Sequence, residues 1–417
     1  MTWENRYHEA LMDTFGPPQR ILTRAQGCTV TDDTGAEYLD LLGGIAVNVL
    51  GHCHPAIESA VSTQLATLDH VSNFFATPPQ IELAERVLGI VCADAVPDGS
   101  RVFFTNSGTE SNECAIKMIR TWGNRKIDEG TKGFSADTTP RIIALTGAFH
   151  GRSAGALSVT WKEAYRTPFA PLLEGIEFIE PNNMDALDRH LTQGVAGIIV
   201  EPIQGEAGVY PLSDEYLQAV RRRCNEIGAL MVVDEVQSGM GRTGQWMAHH
   251  HAGITPDVVT LAKGLGGGMP IGACVGIGQA GSILTQGMHG TTFGGNPVCA
   301  AAGLAVIDTI ENDALLAHAL TLGEQWRAEL RETGGAAVRE VRGRGLLIAV
   351  EFNEPCASAL VRHAADEGFI INAPNAHTIR LAPPLTLSHQ QAQSFTEALP
   401  ALVHSARQTL GHAHKED

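Results

Sequence analysis

The stretch "DVVTLAKGLGGGMP" (residues 257–270) decides how the chain is read. Asp257 to Leu261 form a short apolar run bounded by turn residues, the mark of a buried strand. Lys263 stands at its end, and Gly264, Gly266, Gly267 and Gly268 crowd behind it. A lysine so placed either snorkels to solvent along its stem or has its pKa lowered by burial. An uncharged amine is what imine chemistry with an aldehyde requires. Glycines beyond it let the backbone turn sharply and leave room for a flat ligand. Snorkelling is the ordinary fate of a lone lysine, so the neighbouring strand ends must decide.

Those ends share a pattern. "RVFF" (101–104), "RIIAL" (141–145), "GIIV" (197–200), "ALMVV" (229–233) and "ACVGI" (273–277) are short apolar runs, mostly separated by helix-length stretches. Such alternation predicts an α/β fold with a mainly parallel sheet covered on both faces. In open sheets of this kind, ligands sit beyond the carboxyl ends of the strands. Upstream, "CTVTDDTGAEYLDL" (28–41) reads as a hairpin turning at Asp33-Thr34-Gly35. After the helical "PVCAAAGLAVIDTIE" (297–311), runs such as "GLLIAVEF" and "TIRLAPP" imply a smaller α+β unit from residue 315 onward. The polar, Gly-containing stretch 123–139 reads as a surface loop.

Chemistry-bearing residues follow the runs. In "TNSGTESNE", Ser107 and Glu110 have the spacing of a capping box, and Gly108 and Thr109 would open the helix. Free N–H groups there make an anion site, though an ordinary capped helix has the same look. The spacing does not match a nucleoside triphosphate loop. "AFHGRS" brings Phe149, able to cover a flat ligand, and Arg152, able to clamp a carboxylate. "VVDEVQ" ends a strand in Asp234 and Glu235, and a carboxylate turned into the crevice needs a cationic partner. A protonated ring nitrogen would serve. With Lys263, these groups form the inventory for pyridoxal phosphate (PLP).

Composition narrows the alternatives. A chain of 417 residues exceeds one ordinary core, so two or three units are expected. The formal charge of −17 (29 basic minus 46 acidic residues) disfavours nucleic acid and anionic membrane surfaces as partners. Eight scattered cysteines without a CxxC argue against disulfides and zinc. "MTWENRYHEA" lacks the basic and apolar parts of a signal peptide, and no apolar run approaches the ~20 residues of a membrane span. A cytoplasmic protein is expected. "HCH" (52–54) and "HHH" (249–251) lack helical ligand spacing and read as surface loop histidines, so no metal is assigned.

"LLGGIAVNVLGHCHP", "FFTNSGTESNE", "AFHGR", "EPIQGEAGV", "VVDEVQSGMGRTG", "TLAKGLGGGMPIGA", "HGTTFGGNPV" and "IRLAPPL" together resemble the class III PLP-dependent aminotransferases. The resemblance covers residues 10–405, and the first and last motifs point to the acetylornithine and ornithine branch. It implies fold type I: a large PLP-binding domain (76–315) with a mainly parallel seven-stranded sheet and a small α+β domain (316–417). Residues 1–75 would pack with the small domain.

The resemblance also implies roles. Lys263 would carry the cofactor as an imine and then shuttle a proton, while Asp234 would keep the ring nitrogen protonated. Gln237 would touch the ring hydroxyl, Phe149 would stack on the ring, and Glu235 and Val236 would border it. Ser107, Gly108 and Thr109 would bind the phosphate, joined by Thr292 from a neighbouring subunit. Thr291 would face the substrate, and the shared site implies a homodimer. Arg152 would take the α-carboxylate of N-acetylornithine or the γ-carboxylate of glutamate. Arg380 would take glutamate's α-carboxylate, with Glu206 neutralising it otherwise. The implied reaction moves the δ-amino group of N-acetylornithine to 2-oxoglutarate. Ornithine, succinylornithine, succinyl-diaminopimelate and 4-aminobutyrate are the alternative donors. Ile45-Ala46-Val47-Asn48 offers neither acid nor aromatic ring for a free second ammonium, which leans toward the acylated donor. Departures from the family are Pro78, the length of 123–139, and Trp161, placed where it could crowd the substrate entrance.

Overall fold

The computed structural model of the chain describes residues 2–93 and 95–413. Seven strands build the large sheet: β1 (Arg101–Thr105), β2 (Arg141–Leu145), β3 (Ile176–Ile179), β4 (Val195–Val200), β5 (Leu230–Asp234), β6 (Val258–Leu261) and β7 (Gly272–Gly276). Their spatial order is β1-β7-β6-β5-β4-β2-β3. All neighbours pair in parallel except β7, which runs antiparallel to both β1 and β6. This is the fold expected from the apolar runs. β3, "IEFI", escaped that reading because an edge strand is only half buried and tolerates a charge.

Alternation along the central strands serves two layers. Leu230 and Val232 of β5 pack with Ile116 and Ile119 of the helix Gly108–Asp128. Met231 and Val233 face the other way, toward Leu217, Val220 and Cys224 of the helix Asp214–Ile227. Every residue of β4, β5, β6 and β7 is buried. The strands therefore read as continuous apolar runs.

Two expectations need correction. The first six residues of 123–139 belong to the helix Gly108–Asp128, and only the remainder is turn and irregular chain. Gly123 is a packing glycine, since a Cβ there would lie 2.5 Å from Pro140 Cβ. Nor are the "HHH" residues all at the surface. His249 is 1% exposed, and its ring Nδ1 lies 2.9 Å from Glu235 Oε1.

Val338–Arg344, Leu347–Phe352, Thr378–Leu381 and Asn372–Asn375 make an antiparallel sheet. The hairpin Thr29–Asp32/Glu37–Asp40 turns where expected, with Asp32 Oδ1 accepting the N–H groups of Thr34 (2.9 Å) and Ala36 (3.0 Å). Phe369–Ile370 then pairs with Glu37–Asp40 in parallel, so early and late parts of the chain share a sheet.

Between hairpin and cavity runs a left-handed turn. Gly43, Gly44, Ile45 and Ala46 have φ of 57°, 64°, 64° and 61°. Glycine tolerates this region; Ile45 and Ala46 are held there against local preference. Asp40 fixes the turn, Oδ1 accepting the N–H groups of Leu42 and Gly43 (2.9 Å each) while Oδ2 lies 2.7 Å from His52 Nε2. Among the described residues no helix is long and apolar enough to cross a membrane.

Candidate active site

A cavity of about 430 Å³ opens beyond the carboxyl ends of β1, β4, β5 and β6. Its floor is Lys263, which follows β6 in a short 3₁₀ turn with φ +38°, a strained value for a lysine. Burial lowers its amine from 10.5 to about 8, with Glu206 opposing and Arg380 adding to the effect. The glycines behind it divide the work. Gly267 and Gly268 take φ of +56° and +121°, which make the turn. Gly264 and Gly266 instead allow close packing, since a Cβ would lie 2.7 Å from Val49 Cγ1 or 2.3 Å from the Met269 carbonyl oxygen. Of the four, only Gly268 borders the cavity.

Asp234, at the end of β5, is 4% exposed and fully engaged on one side. Its Oδ2 accepts from Asn112 Nδ2 (2.8 Å) and lies 2.7 Å from His150 Nδ1; its Oδ1 accepts the Val236 N–H (3.0 Å). Asn112 is anchored in turn by the Thr260 hydroxyl at 2.8 Å. At the end of β4, beside Asp234, Glu201 accepts the Phe149 N–H at 3.0 Å. Burial first, and Asp234's charge second, push its carboxyl well above the usual range. Of the two neighbouring carboxyls, Glu201 thus favours its neutral form, while Asp234 is met by Asn112, His150 and the Val236 N–H.

One wall is the start of the helix Gly108–Asp128. Ser107 caps it, accepting the Glu110 N–H at 3.3 Å. Glu110 closes a variant of the expected capping box, reaching the N–H of Asn106, one residue before the cap, at 2.7 Å. A Cβ on Gly108 would meet Val236 Cγ1 at 2.7 Å, so only glycine lets the helix start approach this closely. Thr109 Oγ1 accepts the N–H groups of Arg152 and Ser153 (3.2 Å each) and lies 2.6 Å from Ser153 Oγ.

The cavity is bordered by Ser107, Gly108, Thr109, Phe149, Arg152, Asp234, Val236, Gln237 and Lys263. Glu206 and Arg380 adjoin it through Gln237. Arg380 Nη1 donates to Glu206 Oε1 at 2.5 Å and to Gln237 Oε1 at 3.2 Å, and Gln237 Nε2 donates to Glu206 at 3.3 Å. Burial works against the Glu206 carboxylate, but Arg380's charge and hydrogen bond, with Lys263's charge and the Gln237 hydrogen bond, together outweigh it and hold the pKa below the ordinary value.

Other expected residues lie elsewhere. Glu235 points away from the cavity into a buried contact with His249 and Ser238 (2.5 Å to Ser238 Oγ). Thr291 reaches only the rim, 3.3 Å from Asn106 Nδ2, and Thr292 lines a separate hollow beside Phe74. Trp161 does not border the cavity; it packs edge-on against Phe178 with ring centroids 5.2 Å apart. Asn112, His150 and Glu201 are given no role in the sequence reading, although His150 stands there as an imidazole beside Phe149. Asn112 is one helical turn past Gly108 on the same face, a spacing that could have revealed it.

The groups fit PLP. Phe149 and the buried amine of Lys263 border one cavity, Asp234 keeps acceptor capacity on Oδ1, and a helix start supplies N–H groups. A seven-stranded, mainly parallel sheet with such a site at its carboxyl end defines a PLP-dependent transferase of fold type I.

The aminotransferase class-III family model matches residues 13–403, and the chain belongs to that family. It is a PLP-dependent aminotransferase. It is 46% identical to the acetylornithine aminotransferase of Mycolicibacterium smegmatis over 406 residues, covering 97% of this chain and 99% of that protein. Among solved structures, the ornithine aminotransferase of Toxoplasma gondii, which carries PLP at its active site in partial occupancy, superposes with a TM-score of 0.90. The two are 28% identical over 97% of this chain and 94% of that one. The acetylornithine aminotransferase of Elizabethkingia anophelis superposes with a TM-score of 0.82, at 28% identity over 96% and 97% of the two chains.

Proposed function

We propose that the chain transfers the δ-amino group of N-acetylornithine to 2-oxoglutarate, giving N-acetylglutamate 5-semialdehyde and glutamate. The observation that carries this is a pair of arginines in opposite states at one cavity. Arg152 borders it with no carboxylate partner among the described residues, while Arg380 is fully buried and neutralised by Glu206. A donor with one carboxylate far from its reacting amine needs only Arg152. A 2-oxo acid with two carboxylates needs both, and Glu206, which keeps 34% exposure, is placed to yield to the second. A desolvated, unpaired Arg380 would be costly, so the exchange also screens substrates.

Within this reading Lys263 would hold the cofactor through its aldehyde carbon, and its amine, poised by burial, would take up and return the proton of the reacting carbon. Asp234 holds the ring nitrogen protonated, with Asn112 and His150 fixing its orientation. Phe149 would cover the ring and Gln237 meet its hydroxyl, while Ser107, Gly108 and Thr109 would receive the phosphate. PLP, when bound, supplies the electron sink for this proton transfer. The cofactor-binding body is taken as 76–315, with 1–75 and 316–417 flanking it.

We infer further that the chain works as a homodimer in the cytoplasm, Thr292 serving the partner's phosphate. Support comes from the position of Thr292 off its own cavity, beside Phe74 (93% exposed) and Phe293 (60% exposed). The test of substrate is spectroscopic. N-acetylornithine, added without any 2-oxo acid, should abolish the cofactor's visible absorption band and raise its near-ultraviolet one. A spectrum that ignores N-acetylornithine but responds to ornithine or 4-aminobutyrate would move the substrate and leave the chemistry.

A further inference from the structure

We propose that Tyr165 is the positioning residue for Arg152, and so sets how tightly the enzyme holds the carboxylate of either substrate. The proposal rests on the reading that Arg152 receives that carboxylate. Arg152 is exposed, and its side chain makes no hydrogen bond or ion pair among the described residues. An arginine in that condition ordinarily samples many rotamers, and ordering it on binding weakens affinity. Here the guanidinium carbon lies 3.4 Å from the centroid of the Tyr165 ring, with the Phe149 ring at 5.7 Å.

A stack of this kind holds the planar head without using its N–H donors. A salt bridge would also fix the arginine, but it would spend the fork that must meet a carboxylate bidentately. The stack therefore does what an acidic neighbour could not. Both ends of Arg152 are tied: its backbone N–H reaches Thr109 Oγ1 at 3.2 Å, and its head rests on Tyr165. Tyr165 is itself anchored. It is half-buried on the turn Glu163–Arg166, and Lys162 Nζ donates to its hydroxyl at 3.4 Å while lying 4.7 Å from the ring centroid.

The test uses the holoenzyme and separate half-reactions with N-acetylornithine, 2-oxoglutarate and n-pentylamine, an amine without a carboxylate. Arg152→Leu is measured first; an unmoved KM for 2-oxoglutarate would remove the reading of Arg152 and the proposal with it. Given an effect there, Tyr165→Leu keeps apolar volume but loses the π-face. It is expected to raise KM for both carboxylate substrates about 5- to 30-fold, the range of a partly desolvated cation–π contact. The kcat values and n-pentylamine turnover should stay within about twofold of wild type, and Tyr165→Phe should restore the KM values. Wild-type KM in Tyr165→Leu would overturn the proposal while leaving Arg152's role intact. Equal loss of n-pentylamine turnover would overturn it too, by showing that the tyrosine merely holds the loop together.

Discussion

Lys263 shows what burial does to a single side chain. Its amine falls from 10.5 to about 8. Between those values an unfolded lysine keeps its proton and the folded one has lost it, so the cofactor-free protein gains stability as pH rises through that window. Wild type should gain up to about 3 kcal/mol relative to Lys263→Met between pH 8 and 10.5, read by chemical denaturation of both apo proteins. A constant difference would mean that the amine is not desolvated. Glu206 gives the second residue-scale expectation. Glu206→Gln leaves Arg380 with only neutral partners, Gln237 and Asn372. Preference, as a ratio of kcat/KM, should then move about 10-fold from N-acetylornithine toward glutamate. Lys263, Asp234 and Arg152 were legible in the sequence because each follows an apolar run or a glycine turn. His150 and Glu201 were not, because a histidine and a glutamate at strand ends have many bland uses until distances separate them.

At the scale of elements, two short pieces of backbone shape the cavity. The helix start at Gly108 touches Val236, and Gly108→Ala should push them apart. Cofactor affinity is expected to fall by about 10-fold, measured by equilibrium titration of the apoenzyme, with secondary structure unchanged. Unchanged affinity would mean that the helix start does not face the phosphate. The left-handed turn Gly43–Ala46 is the other piece, since it delivers Val47 to the cavity wall. Asp40→Ala removes the acceptor of two N–H groups and should cost about 1–3 kcal/mol in denaturation. It should also raise KM for the amino donor, because the strained turn can relax. The paired glycines hinted at this turn, but nothing in "GGIAV" says that Ile45 and Ala46 continue it.

For the whole molecule, exposed aromatic side chains are the unresolved surface. Phe74, Phe75 and Phe293 stand 93%, 68% and 60% exposed, near the loop that carries Thr291 and Thr292. Sedimentation should give twice the 44.4 kDa of one chain. Phe74→Asp combined with Phe293→Asp should give monomers that lose turnover, because each cavity would lack its partner's Thr292. A fully active monomer would remove the homodimer reading.

The sequence by itself determined six of the sheet's seven strands, the site expected at their carboxyl ends and the chemistry of the lysine. Apolar runs, turn glycines and cap spacing are local patterns, and local patterns survive in one dimension. Only the tertiary structure decided which of the flagged residues meet. Glu235 turns away from the cavity while Asp234 beside it turns in, since neighbouring residues at a strand end face opposite sides. Arg380 finds Glu206 across 174 residues of chain, and Tyr165 comes beneath Arg152 through a turn between them. Such contacts depend on how the layers pack, and packing is a property of the folded whole.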